Sequence, residues 1–136
     1  MTTWTCPSCA RTFGRVRQGH ECAPALSLDD YFATGPERER PVFEAVWAHL
    51  DDLGDVRVEA VSVGILFKRR RTFAELRPRT RWVDLGLMLP HRVKHPRVTR
   101  YATTQSGLLT QHGIRLVTPE DVDDQVREWL TQSWAS

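Results

Sequence analysis

An α+β fold is expected: a mainly antiparallel sheet with helices packed on it, plus a small zinc knot at the N-terminus. Three observations lead there. Residues 56–90 alternate apolar and polar side chains between short connections, the pattern of neighbouring antiparallel strands. The segments on either side carry apolar residues at helical spacing. All three cysteines of the chain lie among residues 6–22, a density that suits a metal-bound module better than a packed core.

The chain of 136 residues fits a small module of residues 1–24 followed by one α+β domain of residues 25–136. Hydrophobic residues make up 40% and charged residues 26%, which excludes a disordered chain. No apolar run approaches the ~20 residues of a membrane helix. The opening MTTWTCPSC lacks the charged and apolar regions of a secretory leader, so no membrane partner and a cytoplasmic location are expected. The net charge of +2 hides segregation: residues 25–56 hold two basic and eight acidic groups, residues 57–100 twelve basic and three acidic. The basic block coincides with the alternating middle of the chain.

In the N-terminal module the arrangement is Cys6-x2-Cys9-x10-His20-x-Cys22. Three thiols and one imidazole form a four-coordinate zinc set, and an odd cysteine count argues against a disulfide framework. A Cys-x-x-Cys turn places two sulfurs on one metal. His20 and Cys22, two apart, share a face of an extended segment. The alternative, buried thiols plus a surface histidine, leaves the clustering unexplained. Four protein ligands close the site, so the expected cofactor is a structural Zn2+. Trp4 and Phe13 supply the apolar residues of a very small core.

Ser27 opens Ser-Leu-Asp-Asp as a helix start over a short turn. From Pro36 or Pro41, the residues Val42, Phe43, Val46, Trp47, Leu50 and Leu53 form a helical stripe, and Gly54 ends it. His49 lies off the stripe and is expected in solvent. Val56 and Val58, then Val61, Val63, Ile65 and Phe67, predict one long or two short strands. Lys68–Arg71 reads as a turn. Phe73, Ala74 and Leu76 form a strand ending at Pro78. Val83, Leu85, Leu87 and Leu89 point one way from the next strand, Trp82, Asp84, Gly86 and Met88 the other. Residues 91–96, between two prolines, form a loop; Gln105-Ser106-Gly107 forms a turn. Gly113–Val117 is the last strand, with His112 satisfied or solvated beside it. Thr118 caps a final helix with Pro119 at its first position and Val122, Val126, Trp129 and Leu130 on its apolar face.

Several of these pieces, in order, resemble the bacterial domain of unknown function 5655. They are Tyr31-Phe32, the following helix, Val61-Ser62-Val63-Gly64-Ile65-Leu66-Phe67, Phe73-Ala74-Glu75-Leu76, Pro78-Arg79, Leu85-Gly86-Leu87-Met88-Leu89-Pro90 and Pro119-Glu120-Asp121-Val122-Asp123. The likeness spans roughly residues 28–134. A Trp-x-Cys-Pro-x-Cys front piece with a His-x-Cys end, here Trp4 to Cys22, resembles one found in some members. The resemblance implies a compact α+β domain. It brings no activity and no catalytic residues.

No glycine-rich phosphate loop, nucleophile–base motif or open metal set appears, so an enzyme is not expected. The chemical content of the middle is arginine, whose planar fork matches phosphates and carboxylates. The expectation is a non-catalytic zinc-containing binding protein that associates with DNA or RNA through Arg15, Arg17, Lys68, Arg69, Arg70, Arg71, Arg77, Arg79 and Arg81. The alternative is an α+β domain that binds a protein or a small anionic ligand in a pocket on the exposed sheet face, with a purely structural zinc site. A cleft with inward arginines favours the second, a flat convex basic face the first. Charged residues on strand edges also serve simply to block sheet-to-sheet association.

The module is expected to depend on its metal for folding. Freshly purified, chelator-free protein should carry one equivalent of zinc by elemental analysis; less than half an equivalent refutes the ligand set.

Overall fold

The computed structural model describes residues 3–7, 9–19, 27–33, 35–103 and 107–136. A two-stranded antiparallel hairpin, β1 (Trp4–Thr5) and β2 (Thr12–Phe13), comes first. Helices α1 (Leu28–Ala33) and α2 (Glu39–Leu53) follow. Then come β3 (Arg57–Val61), β4 (Gly64–Lys68), β5 (Thr72–Pro78), β6 (Val83–Leu89), β7 (Val98–Thr103) and β8 (Thr110–Leu116). Helix α3 (Asp124–Ala135) is the last element. Strands β3 to β8 form one antiparallel sheet in the order β3-β4-β5-β6-β8-β7, as the α+β expectation requires.

Alternation decides which face is buried. Ala60, Ile65, Phe67, Leu76, Leu85, Leu87, Ile114 and Leu116 point to one face and are closed off from solvent by Val42, Val46 and Leu50 of α2 and Val126 and Leu130 of α3. Each such side chain contributes about 1.5–3 kcal/mol on burial. In β5 the register against β4 shifts by one residue, Phe67 facing Ala74 while Lys68 faces Thr72. Phe73 is the extra residue of that bulge, and it joins Ala74 in the core. Polar ties fix the helices over the sheet. The Ser133 hydroxyl lies 2.6 Å from the Phe73 carbonyl oxygen and 2.8 Å from that of Met88, and it donates to one at a time. Trp134 Nε1 donates to the Gly54 carbonyl at the end of α2, 2.9 Å away.

Several expectations need correction. Of the two alternatives for Val56 to Phe67, the two short strands are found, but Val63 lies outside them: with Ser62 it forms the tight turn between β3 and β4 and is 54% exposed. Apolar alternation ran through the turn because one valine there happens to keep the phase. Lys68 does not belong to the following turn. It is the last residue of β4 and is buried. Residues 98–103 form β7, an edge strand whose side chains are mostly exposed and so carry little apolar signal. The final helix is broken: Thr118 and Asp121 make a reciprocal capping box around a single 3-10 turn, Pro119–Asp121, and α3 restarts with Asp123 as its cap. His49, expected in solvent, bonds Thr131 Oγ1 across 2.8 Å and joins α2 to α3. Ser27 does cap α1, accepting from the Asp30 amide at 3.1 Å.

Two buried polar groups stand out. His112 accepts from the Val93 amide through Nε2 at 2.9 Å, which assigns its proton to Nδ1, 2.9 Å from the Thr110 carbonyl oxygen. Burial holds its pKa below the usual imidazole range. Glu39, in the first turn of α2, is fully buried, and it accepts a short hydrogen bond from the Tyr31 hydroxyl while its other oxygen has no partner. Burial raises the Glu39 pKa above its ordinary 4.5, and the Tyr31 bond only partly offsets this. The Tyr31 hydroxyl is itself pushed up by burial and by Glu39.

The folded protein therefore holds the Glu39 proton more tightly than the unfolded chain does. The contribution of Glu39 is most favourable below pH 4.5 and is lost as pH rises through the elevated folded value. Glu39→Gln keeps an acceptor for Tyr31 and removes the charge. It should gain stability relative to the parent as pH rises from 5 to 8, reaching about 1 kcal/mol or more in urea unfolding at pH 8. A difference that does not change with pH would show that the carboxyl stays ionised in the fold.

Candidate functional site on the open sheet face

The face of the sheet opposite the helices is covered in two different ways. Over β3 and β4 lies the N-terminal hairpin. Lys68 of β4 and Glu59 of β3 form a close, nearly buried ion pair. Arg11 of the hairpin joins it, Nε 3.2 Å from Glu59 Oε1. Lys68 Nζ also donates to the Thr12 carbonyl at 3.2 Å and sits 4.4 Å from the centre of the Phe13 ring. Burial depresses the Lys68 pKa and Glu59 counteracts that. A Cβ on Gly14 would fall 1.9 Å from the Arg70 carbonyl oxygen, so the backbone just after β2 lies directly against the β4–β5 turn.

Over β5, β6, β8 and β7 the same face is open, and here charged side chains gather. At its centre Gly86 of β6 faces Gly113 of β8. Without side chains at this pair the floor is low, and neighbours bridge across it. Gln111 Nε2 donates to Glu75 Oε1 at 2.8 Å, passing over Gly86, where a Cβ would meet Gln111 at 2.6 Å. Arg100 of β7 crosses Gly113, where a Cβ would lie 3.2 Å from its own, and ends 3.9 Å from Asp84. Arg77 faces Glu75 with Nε 3.2 Å away. Glu75, Arg77, Arg79, Arg100, Ala102 and Gln111 line an open hollow of about 320 Å³, the size range of small-ligand sites.

Asp84 organises one end. Its carboxylate, buried under these neighbours, accepts from Arg79 Nε at 2.7 Å through one oxygen and from Trp82 Nε1 at 2.8 Å through the other. Charge-assisted bonds of this kind fix the arginine and the indole relative to each other. Among the described residues the two Nη nitrogens of Arg79 make no hydrogen bond. Arg115 lies 4.1 Å over the Trp82 ring. Arg77, Arg79, Arg100 and Arg115 thus outnumber the carboxylates of Glu75 and Asp84, and the open face is net positive.

The arginines expected to form one face are divided. Arg69–Arg71 sit at one end of β5, Arg77, Arg79 and Arg81 at or beyond the other, roughly 20 Å away at ~3.3 Å per residue. Arg70 and Arg71 are exposed, and the Gly14 contact brings exposed Arg15 near them, with exposed Arg17 two residues on. Arg69 is engaged: it donates to the Trp134 carbonyl at 2.7 Å, pairs with Asp55 at 3.4 Å and stacks on Trp134. Lys68 is inaccessible, contrary to its expected place on the face, because β4 runs one residue further and directs it beneath the hairpin. Arg81 is exposed in the β5–β6 turn. Phe73 is buried in the core. Arg115, Glu75, Asp84 and Gln111 were not among the expected site residues, and the sequence did not pair Arg100 with Asp84. The available signal was Asp84, an acid at an outward position of an otherwise apolar strand.

Of the expected zinc ligands, Cys6 and Cys9 are buried with Phe13, and Trp4 packs against them. They sit in the β1–β2 connection, where the Cys6 amide donates to Arg11 O at 2.9 Å and the Ala10 amide to Cys6 O at 2.8 Å. A tight turn with two buried thiols fits half of a tetrahedral thiolate site. His20 and Cys22 lie outside the described residues, and among the described residues no group of three or more His, Cys, Asp or Glu side chains could hold a metal. No helix among the described residues is long and apolar enough to cross a membrane.

A family model described as domain of unknown function (DUF5655) matches residues 28–136. Neither the curated proteins nor the solved structures give a match.

Removing Glu59 leaves the Arg11 and Lys68 cations together without a counter-charge. Glu59→Ala should lose about 3–5 kcal/mol in urea unfolding, while the double change Glu59→Leu with Lys68→Met should lose clearly less. Equal losses would mean that packing, not the ion pair, holds the hairpin on the sheet.

Proposed function

Starting from a chain that belongs to the domain of unknown function 5655 family, we propose a non-catalytic binding protein that captures a small anionic ligand on its open sheet face. One observation carries this reading: Arg79 and Arg100 converge on buried Asp84, which fixes one and approaches the other, at the edge of the same hollow. Arginines held in advance lose little freedom when an anion arrives. Among the described residues the Arg79 Nη groups have no hydrogen-bond acceptor, which leaves them able to donate to phosphate, sulfate or carboxylate oxygens. The residues lining the hollow include no Ser, Cys, His or Lys, and both carboxylates engage arginines, so a nucleophile and its base are missing from that lining.

In this reading the hairpin module is structural. Cys6, Cys9, His20 and Cys22 would hold Zn2+, which when bound supplies folding energy to a module too small for a core of its own. Its burial of Glu59 and Lys68 supports a bracing role. A second reading, association with DNA or RNA, is favoured by the exposed Arg15, Arg17, Arg70 and Arg71 at one tip. Arg69, Arg70 and Arg71 there line a hollow with Phe73 and Trp134, and the exposed guanidiniums suit salt-dependent backbone contacts.

Titration of labelled protein with inorganic phosphate at low salt, followed by NMR, should shift amides of β5, β6 and β8. Arg79→Ala should weaken phosphate binding about tenfold or more, a loss of one charged hydrogen-bonding group. Shifts confined to residues 14–17 and 69–71, or equal affinity in Arg79→Ala, would overturn the open-face site.

A further inference from the structure

Arg79 borders two hollows, not one. Beyond the Glu75–Arg100 hollow lies a second, shallow one, wide open to solvent and lined by Pro36, Pro78, Arg79, Thr80 and Trp82. Its walls are mostly ring surface: one indole and two pyrrolidines. The walls are fixed. Asp84 binds the indole N–H, and the β5–β6 turn closes with the Arg79 amide donating to the Trp82 carbonyl at 2.8 Å. Arg38, just before α2, donates to the Thr80 carbonyl at 3.1 Å and ties that turn to the helix layer. The Arg115 guanidinium covers one face of the indole, 4.1 Å from the ring centre, so a base would have to take the other face or the edge.

We propose that the ligand is a nucleotide unit, its phosphate on Arg79 and Arg100 and its base against Trp82 and the two prolines. The proposal rests on the anion-binding reading and adds the second hollow to it. The chemistry is specific to that class. A flat ring needs a rigid aromatic wall, and an anionic group joined to it needs an arginine within one sugar's reach; here the same arginine edges both spaces. Inorganic phosphate or a sugar phosphate would leave the ring-walled hollow unused. An acidic peptide would have no use for an indole locked in place by a carboxylate. The unit could arrive as a free mononucleotide or within a single strand.

The test is a set of NMR titrations of the full chain with inorganic phosphate, ribose 5-phosphate, adenosine monophosphate and a short single-stranded oligonucleotide. Adenosine monophosphate should bind at least tenfold tighter than ribose 5-phosphate and should shift the Trp82 indole N–H. Trp82→Ala should bring the ratio of adenosine monophosphate to ribose 5-phosphate affinity down to about one, a ratio in which any change at Asp84 and Arg79 cancels, and Trp82→Phe, which keeps a flat ring, should retain most of that ratio. Arg79→Ala should weaken all the phosphorylated ligands. Equal affinity for the nucleotide and ribose 5-phosphate, or a preference that survives Trp82→Ala, overturns the nucleotide assignment alone. Failure of inorganic phosphate and of every phosphorylated ligand to bind overturns the anion-binding reading with it. With the preference established, an oligonucleotide that displaces the mononucleotide identifies a strand as the source; one that does not identifies the free nucleotide.

Discussion

Among the described residues helices cover only one face of a six-stranded sheet, and the rest of the structure answers that shortage. A sheet with one covered face must make its other face polar or cover it by other means. This protein does both. The β3–β4 half receives the N-terminal hairpin, and the β5–β8 half is left open under charged side chains. The join at the covered half is ionic, not apolar: Glu59 lies between Lys68 and Arg11. Such a join confers little net stability over a hydrophobic one, but breaking one partner leaves uncompensated charge. Docking of the hairpin is thereby coupled to the state of the sheet beneath it.

The open half acquires its shape from strand order. The sheet ends β6-β8-β7, so the last strand inserts between its two predecessors. That insertion brings Arg100, on the edge strand, across Gly113 towards Asp84 on β6. It also places Gly113 opposite Gly86, where any side chain would fill the floor that Gln111 and Arg100 now bridge. Glu75 and Asp84 then act as internal counter-ions. They lower the mutual repulsion of four arginines and fix the position of two of them. Membership of a family without an assigned activity leaves the reading of function to this local chemistry.

Much of the fold was legible. The stripe from Val42 to Leu53, the alternation of Val83 to Leu89 and the capping signals at Ser27 and Thr118 each reported a local preference that packing kept. What misled was equally physical. Val63 kept the phase of a strand while sitting in a turn, because period-two patterning does not register a two-residue reversal. β7 was invisible because an edge strand buries few side chains. Lys68 looked like a turn cation because charge in a sequence carries no record of the partner that buries it.

By itself the sequence determined the α+β class, the helix-covered core and the cluster of thiols before it, since each follows from spacing along the chain. Tertiary structure alone decided which arginines belong together. Arg77 and Arg79 are close in sequence to Arg71 but lie far from it across the length of β5, whereas Arg100 comes beside Asp84 through a strand order that no local pattern encodes. Charge composition depends on residues near one another in the chain, and a binding site depends on residues brought together from several strands.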